Sequence, residues 1–536
     1  MHKKLYCVSL VTAWALAIFT GCQKSNQETK APTTSPQSPD PELTVARLHW
    51  LGKKRIATES NATNFMAIWN LPESAKLEAQ TLDKLATAPW RFLSSPSPLS
   101  NAPSALLRPL LDDLVQEEAY LEVRGATNLP GALVLAIRLD ADRAALWRTN
   151  LATVLESLTG LRSPTSDLGL RTADFTFNLS RTGDWTLIGL TRSATNTLLT
   201  DFQNRLAAGP VPYAPRGTNY LIELEGDLLP LSGTFGRLLP FMANVRALNL
   251  VMFGDGENMR TRGWVDFANP LSLSLPAWNV PSNMIYQPLI GFSAVRGTRP
   301  WLEALDFWKA KQLGDAPNEA YFWSQESAPW LHFGAVRSRA VNRQFLALKD
   351  FILETVNPAL APNRTGDFAW LTNESRVVWK GVPFCSPTFD LRDDLILGGF
   401  AATTNSDREI PLELIQQLHR DPNLVYYDWE VTSAQVAAWT QMSQLMRMAF
   451  SFAQLSIKQP GLPWLNVVEP KLGYCATTIS VAGDRRLVFA RSSVLGLSSV
   501  ELQLLVDWLE SPEFPRGLHT LLAPREFVLD RTRPRP

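Results

Sequence analysis

FTFNLSRTGDWTLIGL, residues 175–190, is the stretch from which the fold can be predicted most directly. Apolar side chains alternate with polar ones in its first half and recur through its second half, which predicts two β-strands. Thr182-Gly183-Asp184 lies between them and has the residue types of a tight turn. Because strands joined by so short a turn run antiparallel, the stretch predicts an antiparallel sheet.

The order of predicted elements in the first half of the chain recurs in the second half. Each half has a strand and an amphipathic helix, then a hairpin, a helix, a strand, a long apolar helix and a closing hairpin. The paired predictions are strands 131–139 and 330–336, hairpins 175–190 and 389–400, helices 196–206 and 411–419, strands 219–223 and 423–427, and hairpins 248–267 and 477–490. We therefore expect an α+β protein with two tandem copies of one domain, each an antiparallel sheet covered on one face by helices.

Proline-rich segments separate the predicted regions. Residues 23–43 contain four prolines and no aromatic residue, which is typical of a disordered tether. Prolines also punctuate residues 270–288, where we expect the boundary between the copies. The predicted regions are a signal peptide at 1–21, a modified cysteine and tether at 22–43, repeat domains at 44–276 and 277–524, and a frayed tail at 525–536.

The N-terminus has the features of an export signal. Two lysines precede an uncharged apolar stretch at 5–19, which is shorter than a membrane-spanning helix. The following Phe19-Thr20-Gly21-Cys22 resembles the lipobox of bacterial lipoproteins, a family that usually has Leu where this chain has Phe19. The resemblance implies cleavage before Cys22 and a lipid anchor on that cysteine. The alternative is an ordinary secretory signal in which Cys22 is incidental.

The same resemblance implies a location in the bacterial cell envelope, facing the periplasm or the cell exterior. Gln23 instead of Asp after the cysteine favours the outer membrane. Loss of residues 1–21 removes two of the 51 basic residues, which leaves 49 against 51 acidic residues. Because the sequence contains no basic run, we expect no nucleic-acid partner. The expected partners are a membrane through the lipid anchor and an envelope protein or an apolar ligand.

Two cysteines remain once Cys7 is removed with the signal peptide and Cys22 is modified. These are Cys385 and Cys475, and two thiols outside the cytoplasm can form a disulfide. The alternative is a pair of unbonded buried thiols, because sequence does not show whether their backbones approach closely enough.

No motif for catalysis, metal binding or cofactor binding is found. His49, His332, His419 and His519 are isolated, without a second ligand at metal-binding spacing. Ser293 has Val295 where a nucleophile elbow requires glycine. We therefore predict no catalytic residue, no metal and no cofactor.

Paired carboxylates are interpreted as solvated. Asp393-Asp394 falls at a predicted turn, where both side chains can face water. Asp112-Asp113 and Glu117-Glu118 are predicted to form the polar face of a helix.

One helix is unusually rich in methionine and aromatic residues. Its apolar face is formed by Trp439, Met442, Met446 and Phe450. Such a face is more often core, but methionine-rich faces also adapt to apolar ligands.

Because no catalytic motif is found, we expect a non-catalytic binding or structural lipoprotein of the envelope. The alternatives are a carrier of lipid or another apolar ligand, and a hydrolase whose active site has no sequence motif.

Overall fold

The structure is a computed structural model that divides into two compact units. Unit 1 comprises Met1–Ala268 and Glu501–Pro536, and unit 2 comprises Asn269–Val500. The structure describes residues 43–92, 104–126, 129–159, 169–171, 175–191, 197–208, 220–227, 244–303, 308, 312–326, 328, 331–360, 366–381, 387–399, 410–451, 462–511 and 514–515. Cys22, the tether up to residue 42 and the tail 525–536 lie outside these residues, so their predictions stay predictions.

Unit 1 contains an antiparallel sheet. Its strands are β1 (Leu43–Trp50), β2 (Ala119–Ala126), β3 (Leu129–Arg138), β4 (Gly169–Arg171), β5 (Thr176–Thr182), β6 (Trp185–Thr191), β7 (Tyr220–Asp227), β8 (Val245–Gly254) and β9 (Met259–Phe267). They pair in the order β4-β5-β6-β3-β2-β1-β7-β8-β9.

Unit 2 contains a second set of antiparallel strands. These are β10 (Leu289–Arg296), β11 (Glu319–Gln325), β12 (His332–Arg337), β13 (Gly366–Leu371), β14 (Arg376–Gly381), β15 (Thr388–Arg392), β16 (Leu395–Gly399), β17 (Leu424–Val431), β18 (Tyr474–Val481) and β19 (Arg486–Ser493). They pair in the order β13-β14-β15-β16-β12-β11-β10-β17-β18-β19. The α+β class with antiparallel strands is thereby confirmed.

The two pairing orders correspond, apart from the additional strand β13 in unit 2. The predicted hairpins β5–β6 and β15–β16 occupy equivalent places, and each turn contains one residue with a left-handed backbone. These residues are Gly183, with φ 57°, and Asp393, with φ 51°. The next residue of each turn accepts a backbone hydrogen bond of the same length. The carbonyl of Asp184 accepts from the Leu139 amide at 2.9 Å, and the carbonyl of Asp394 accepts from the Ser338 amide at 2.9 Å.

Successive side chains on a strand point to opposite faces of the sheet. We call the face of Tyr120 in unit 1 and of Tyr321 in unit 2 the front face, and the opposite one, with Leu121 and Phe322, the back face. The front face of unit 1 packs on the helix Thr197–Ala208 through a cluster that includes Phe202.

The back face of unit 1 also carries helices, so the prediction that helices cover one face was wrong. Trp147 of Ala141–Thr159 and Leu110 of Ser104–Gln116 pack there against Ile137 of β3. The physical reason is that the helix after β3 packs on the back face while the helix after β6 packs on the front face, and a helical insertion between β1 and β2 adds to the back layer. The insertion comprises Lys53–Ile56, Ser60–Ala62, Thr63–Trp69, Pro72–Phe92 and Ser104–Gln116.

Unit 2 has its helices on both faces as well. Leu414 and Leu418 of Leu412–Arg420 pack on the front face, whereas Phe345 of Val341–Phe351 packs on the back face. The helix Thr432–Ser451 crosses the back face near β10, β17 and β18. The remaining helical segments are Ser282–Met284, Arg299–Glu303, Ile352–Val356, Asn357–Leu360, Thr372–Glu374, Leu462–Val468, Glu469–Lys471 and Ser499–Glu510.

Candidate functional site

The predicted disulfide is not tested by the described residues, because Cys385 lies outside them. Cys475 is fully buried on β18, and its Sγ lies 3.9 Å from Oγ1 of Thr477. A bridge between Cys385 and Cys475 therefore stays a prediction, as does the lipid on Cys22.

The predicted apolar-ligand face lies on the helix Thr432–Ser451. The ring of Trp439 stacks on His332 with 4.8 Å between centroids, and Met442 is buried. The side chains of Met446 and Phe450 lie outside the described part of the structure. Trp439 and Met442 thus serve in packing, and a ligand on this face stays a prediction.

A row of polar side chains crosses the back face of unit 2. Cross-strand pairing places Ser293 beside Asp428, Asp428 beside Thr477, and Thr477 beside Arg491. The Ser293 hydroxyl donates a hydrogen bond to Oδ1 of Asp428 at 2.5 Å, and Nε of Arg491 donates one to Oγ1 of Thr477 at 2.9 Å. We call these four residues the polar row. No short-range sequence motif marks it, because its members come from four strands.

The electrostatics of the polar row centre on Asp428. Burial raises the pKa of this carboxyl, while the hydrogen bond from Ser293 and the positive charge of Arg491 act in the opposite direction. The group within hydrogen-bond distance of the Ser293 hydroxyl is thus a carboxyl that resists ionisation. This arrangement holds Ser293 in place and differs from a serine paired with an imidazole base.

Glu430 extends the polar row on the same strand. Its Oε1 accepts a hydrogen bond from the Ser499 amide at 2.6 Å, and its Oε2 lies 2.6 Å from the Ser499 hydroxyl. Burial and the neighbouring charge of Asp428 raise the pKa of Glu430 to about 7, although the bonds from Ser499 oppose this shift.

The amide of Gln435 joins the helix Thr432–Ser451 to the back face. Its Nε2 donates a hydrogen bond to Oγ of Ser324. The amide lies directly over Gly291, where an added Cβ would collide with Nε2. A larger residue at this position would therefore displace the Gln435 amide.

The back face of unit 2 is open at Phe322. This side chain is 50 % exposed although it lies on the inner strand β11. Its cross-strand neighbours are Ser293 and Gly334, neither of which is large enough to cover an aromatic ring. We call Phe322, Ser293 and Gly334 the open patch.

The back face of unit 1 is apolar at the corresponding positions. Leu48 takes the place of Ser293 and Leu121 that of Phe322, because the pair Leu48–Leu121 corresponds to the pair Ser293–Phe322 in strand register. Leu121 is 9 % exposed and packs with Leu48, Val123 and Leu133. A side chain at this position is thus buried in unit 1 and exposed in unit 2.

The front face of unit 1 contains a buried ion network. Glu122 is fully buried, with Nε of Arg124 at 3.1 Å from Oε1 and Nη2 of Arg205 at 3.0 Å from Oε2. Asp201 accepts from both arginines at 2.7 and 3.2 Å, and Nε of Arg47 lies 3.6 Å from Glu122. Each buried charge is therefore paired, as burial of charge requires.

A buried glutamate and tyrosine occur at equivalent places in both units. The Tyr120 hydroxyl donates to Glu118 at 3.4 Å, and the Tyr321 hydroxyl donates to Glu319 at 2.7 Å. In unit 1, Nε2 of His49 also lies 3.0 Å from Glu118. Sequence reasoning missed this pair, although Glu-Ala-Tyr stands at both 118–120 and 319–321 and signals it.

Two of the carboxylates that were expected to be solvated are buried. Glu118 follows the helix Ser104–Gln116 and is 6 % exposed. Asp113 accepts hydrogen bonds from the indole of Trp147 and from Nη2 of Arg143, each at 2.7 Å. The prediction of a solvated helix face at 112–118 was wrong here, because partners from β1, β3 and the helix Ala141–Thr159 enclose these groups.

The described part of unit 2 contains one cavity of note. A cavity lined by Trp323, Phe333 and Asp390 has a volume of about 10 Å³, which holds one water molecule at most. Within the described ranges, no group of three or more His, Cys, Asp or Glu side chains is placed to hold a metal ion. Among the helices described, none is long and apolar enough to cross a membrane.

Comparison of the chain with protein-family models, curated proteins and solved structures finds no match in any of the three.

Proposed function

We propose that the chain is a lipid-anchored protein of the bacterial cell envelope that binds a protein partner through the open patch. The observation that carries the proposal is the 50 % exposure of Phe322 on an inner strand, at the position where unit 1 buries Leu121. An aromatic ring exposed in the middle of a sheet is a feature of binding surfaces, since monomers normally cover such positions.

The corresponding pairing orders support a division of roles between the units. Both have the same pairing order, the same Glu-Ala-Tyr segment, and a hairpin turn with one left-handed residue. We infer that the units are copies of one domain. In unit 1 a helical insertion shields the back face, whereas unit 2 lacks that insertion, and we assign binding to unit 2.

The chemistry of the open patch favours a protein partner. Phe322 supplies an apolar anchor, and Ser293 and Asp428 beside it supply hydrogen-bonding groups. Such an apolar centre with polar surroundings is typical of protein interfaces. The expected partner segment presents an apolar side chain to Phe322 and hydrogen-bond donors to its rim.

The anchor part of the proposal is supported by the lipobox-like sequence at 19–22 and by the proline-rich tether that follows. Several acyl chains on one cysteine bind a membrane stably, because each buried methylene contributes about 0.8 kcal/mol. Metabolic labelling with a fatty-acid analogue, followed by Cys22→Ala, tests this part. Labelling that persists in the variant contradicts the anchor.

Mild crosslinking in intact envelopes tests the binding site. We expect wild-type protein to recover a specific partner and Phe322→Asp to lose it, since a charge at the anchor position is costly to desolvate in an interface. Leu190→Asp is the matched control, because Leu190 is a strand residue of unit 1 with 37 % exposure. Equal recovery by both variants, or no partner with the wild type, contradicts the proposal.

A carrier for an apolar ligand is a second candidate. It is favoured by the half-buried Trp439–His332 stack on the methionine-rich helix Thr432–Ser451. Native mass spectrometry of gently purified protein decides between the two. A stoichiometric lipid that Met446→Asp releases, with the fold retained, supports the carrier.

A further inference from the structure

Glu430 is a buried carboxyl whose position on the sheet is poorly suited to a negative charge. It is 6 % exposed, and its cross-strand neighbours are Gly291 on β10 and Cys475 on β18. Neither neighbour supplies a positive charge. Its Oε1 accepts a hydrogen bond from the Ser499 amide and its Oε2 accepts one from the Ser499 hydroxyl, and a hydrogen bond from the Thr432 side chain also favours its charged form.

The nearest charges are arranged unevenly around Glu430. Asp428 lies two residues earlier on β17. Its carboxyl therefore projects from the same face of the sheet, beside the carboxyl of Glu430. Arg491 lies on β19, beyond Thr477, and also donates to the carbonyl of Gly496 at 3.3 Å. The helix Thr432–Ser451 contributes uncharged Gln435 on this face.

We propose that Asp428 and Glu430 form a proton-binding pair and that the proton held by Glu430 controls how firmly Ser499 is bound to the sheet. When Glu430 is neutral, the two carboxyls do not repel each other and the contact with Ser499 is retained. When Glu430 loses its proton, the charge is best stabilised by water. Water reaches it only if Ser499 moves away, so deprotonation favours local opening.

The sign of the pH dependence follows from linkage. The pKa of Glu430 is about 7 in the folded protein and near its ordinary value of 4.5 when Ser499 has opened. The closed form therefore binds more protons between pH 4.5 and 7. Closure is strongest below that window and weakens as the pH rises through 7, and the loss is complete above it.

Hydrogen exchange at the Ser499 amide of the full-length protein measures the opening directly. After correction for the intrinsic pH dependence of exchange, we expect protection to fall roughly 50- to 100-fold between pH 5 and pH 8. Glu430→Gln keeps an acceptor for Ser499 but does not titrate, so its protection is expected to change less than about 3-fold. The proposal is overturned if Glu430→Gln shows the same fall in protection with pH as the wild type. It is also overturned if protection of the Ser499 amide in the wild type does not change with pH.

Two further variants separate the pair from general effects. Asp428→Asn removes the neighbouring charge and is expected to shift the wild-type transition to lower pH, because Glu430 then ionises more easily. Glu413→Gln is the matched control, since Glu413 is exposed in the first turn of Leu412–Arg420 and is expected to leave the profile unchanged. An unshifted transition in Asp428→Asn contradicts the pairing of the two carboxyls.

Discussion

Units 1 and 2 share a pairing order but differ in the side chains that occupy equivalent positions on their sheets. On the front face, the neighbouring pair Arg47–Glu122 in unit 1 corresponds to Phe292–Trp323 in unit 2. On the back face, Leu48–Leu121 corresponds to Ser293–Phe322. At these positions unit 1 buries an ion network in front and leucines behind, whereas unit 2 buries aromatic rings in front and carries the polar row behind.

The difference shows that the order of the strands does not depend on the residue type at any one buried position. Backbone pairing and hairpin turns correspond in the two units. The front face of unit 1 combines an apolar cluster with a buried ion network, whereas unit 2 has aromatic rings at the positions equivalent to Arg47 and Glu122. Either solution is stable as long as buried charges are paired and apolar groups are packed. The difference that remains is on the surface, where unit 2 exposes Phe322.

The largest expected effect is loss of the ion network in unit 1. Glu122→Ala is expected to destabilise the unit by about 3–5 kcal/mol, because removal of one partner leaves buried arginine charge without its carboxylate. Urea unfolding measures the change. Arg47→Ala, which leaves Glu122 paired with Arg124 and Arg205, is expected to cost less than Glu122→Ala. Equal losses in the two variants contradict the central place of Glu122 in the network.

The back-face positions give a matched pair with smaller effects. Leu121→Ser is expected to cost about 2–3 kcal/mol, since the lost side chain is buried in an apolar cluster. Phe322→Ser is expected to cost less than about 1 kcal/mol, because half of that side chain already faces water. Thermal unfolding of both variants tests the comparison. Equal losses show that Phe322 is part of the core and weaken the case for the open patch.

The smallest expected effect concerns the two hairpin turns. Gly183→Ala is expected to cost about 1 kcal/mol through backbone strain alone, because an added Cβ meets no atom within 4 Å but the left-handed backbone disfavours alanine. Asp393→Gly at the equivalent place is expected to be neutral or to stabilise by a few tenths of a kcal/mol. Denaturant unfolding that shows Asp393→Gly to be clearly destabilising indicates that the Asp393 side chain has a contact that Gly183 lacks.

Local patterns predicted the hairpins β5–β6 and β15–β16 and the helix that follows each, and missed the site. The helices near 196–206 and 411–419 and the hairpin strands around residues 183 and 393 are found close to where periodicity placed them. The burial of Glu118 and Glu122 was missed, since their arginine partners come from Arg138 and, 83 residues away in sequence, from Arg205. A charged residue beside apolar ones is indistinguishable in sequence from a solvated one until those partners are known.

The amino-acid sequence by itself determined the antiparallel hairpins and the recurring order of elements, because turn residues and apolar periodicity act over a few neighbouring positions. Only the tertiary structure decided that Glu122 is buried among arginines, that Trp323 at the equivalent place is buried among apolar side chains, and that Phe322 stays exposed while Leu121 is buried. These outcomes depend on strands and helices far apart in the chain, whose side chains determine the surroundings of every group only after the sheet has formed.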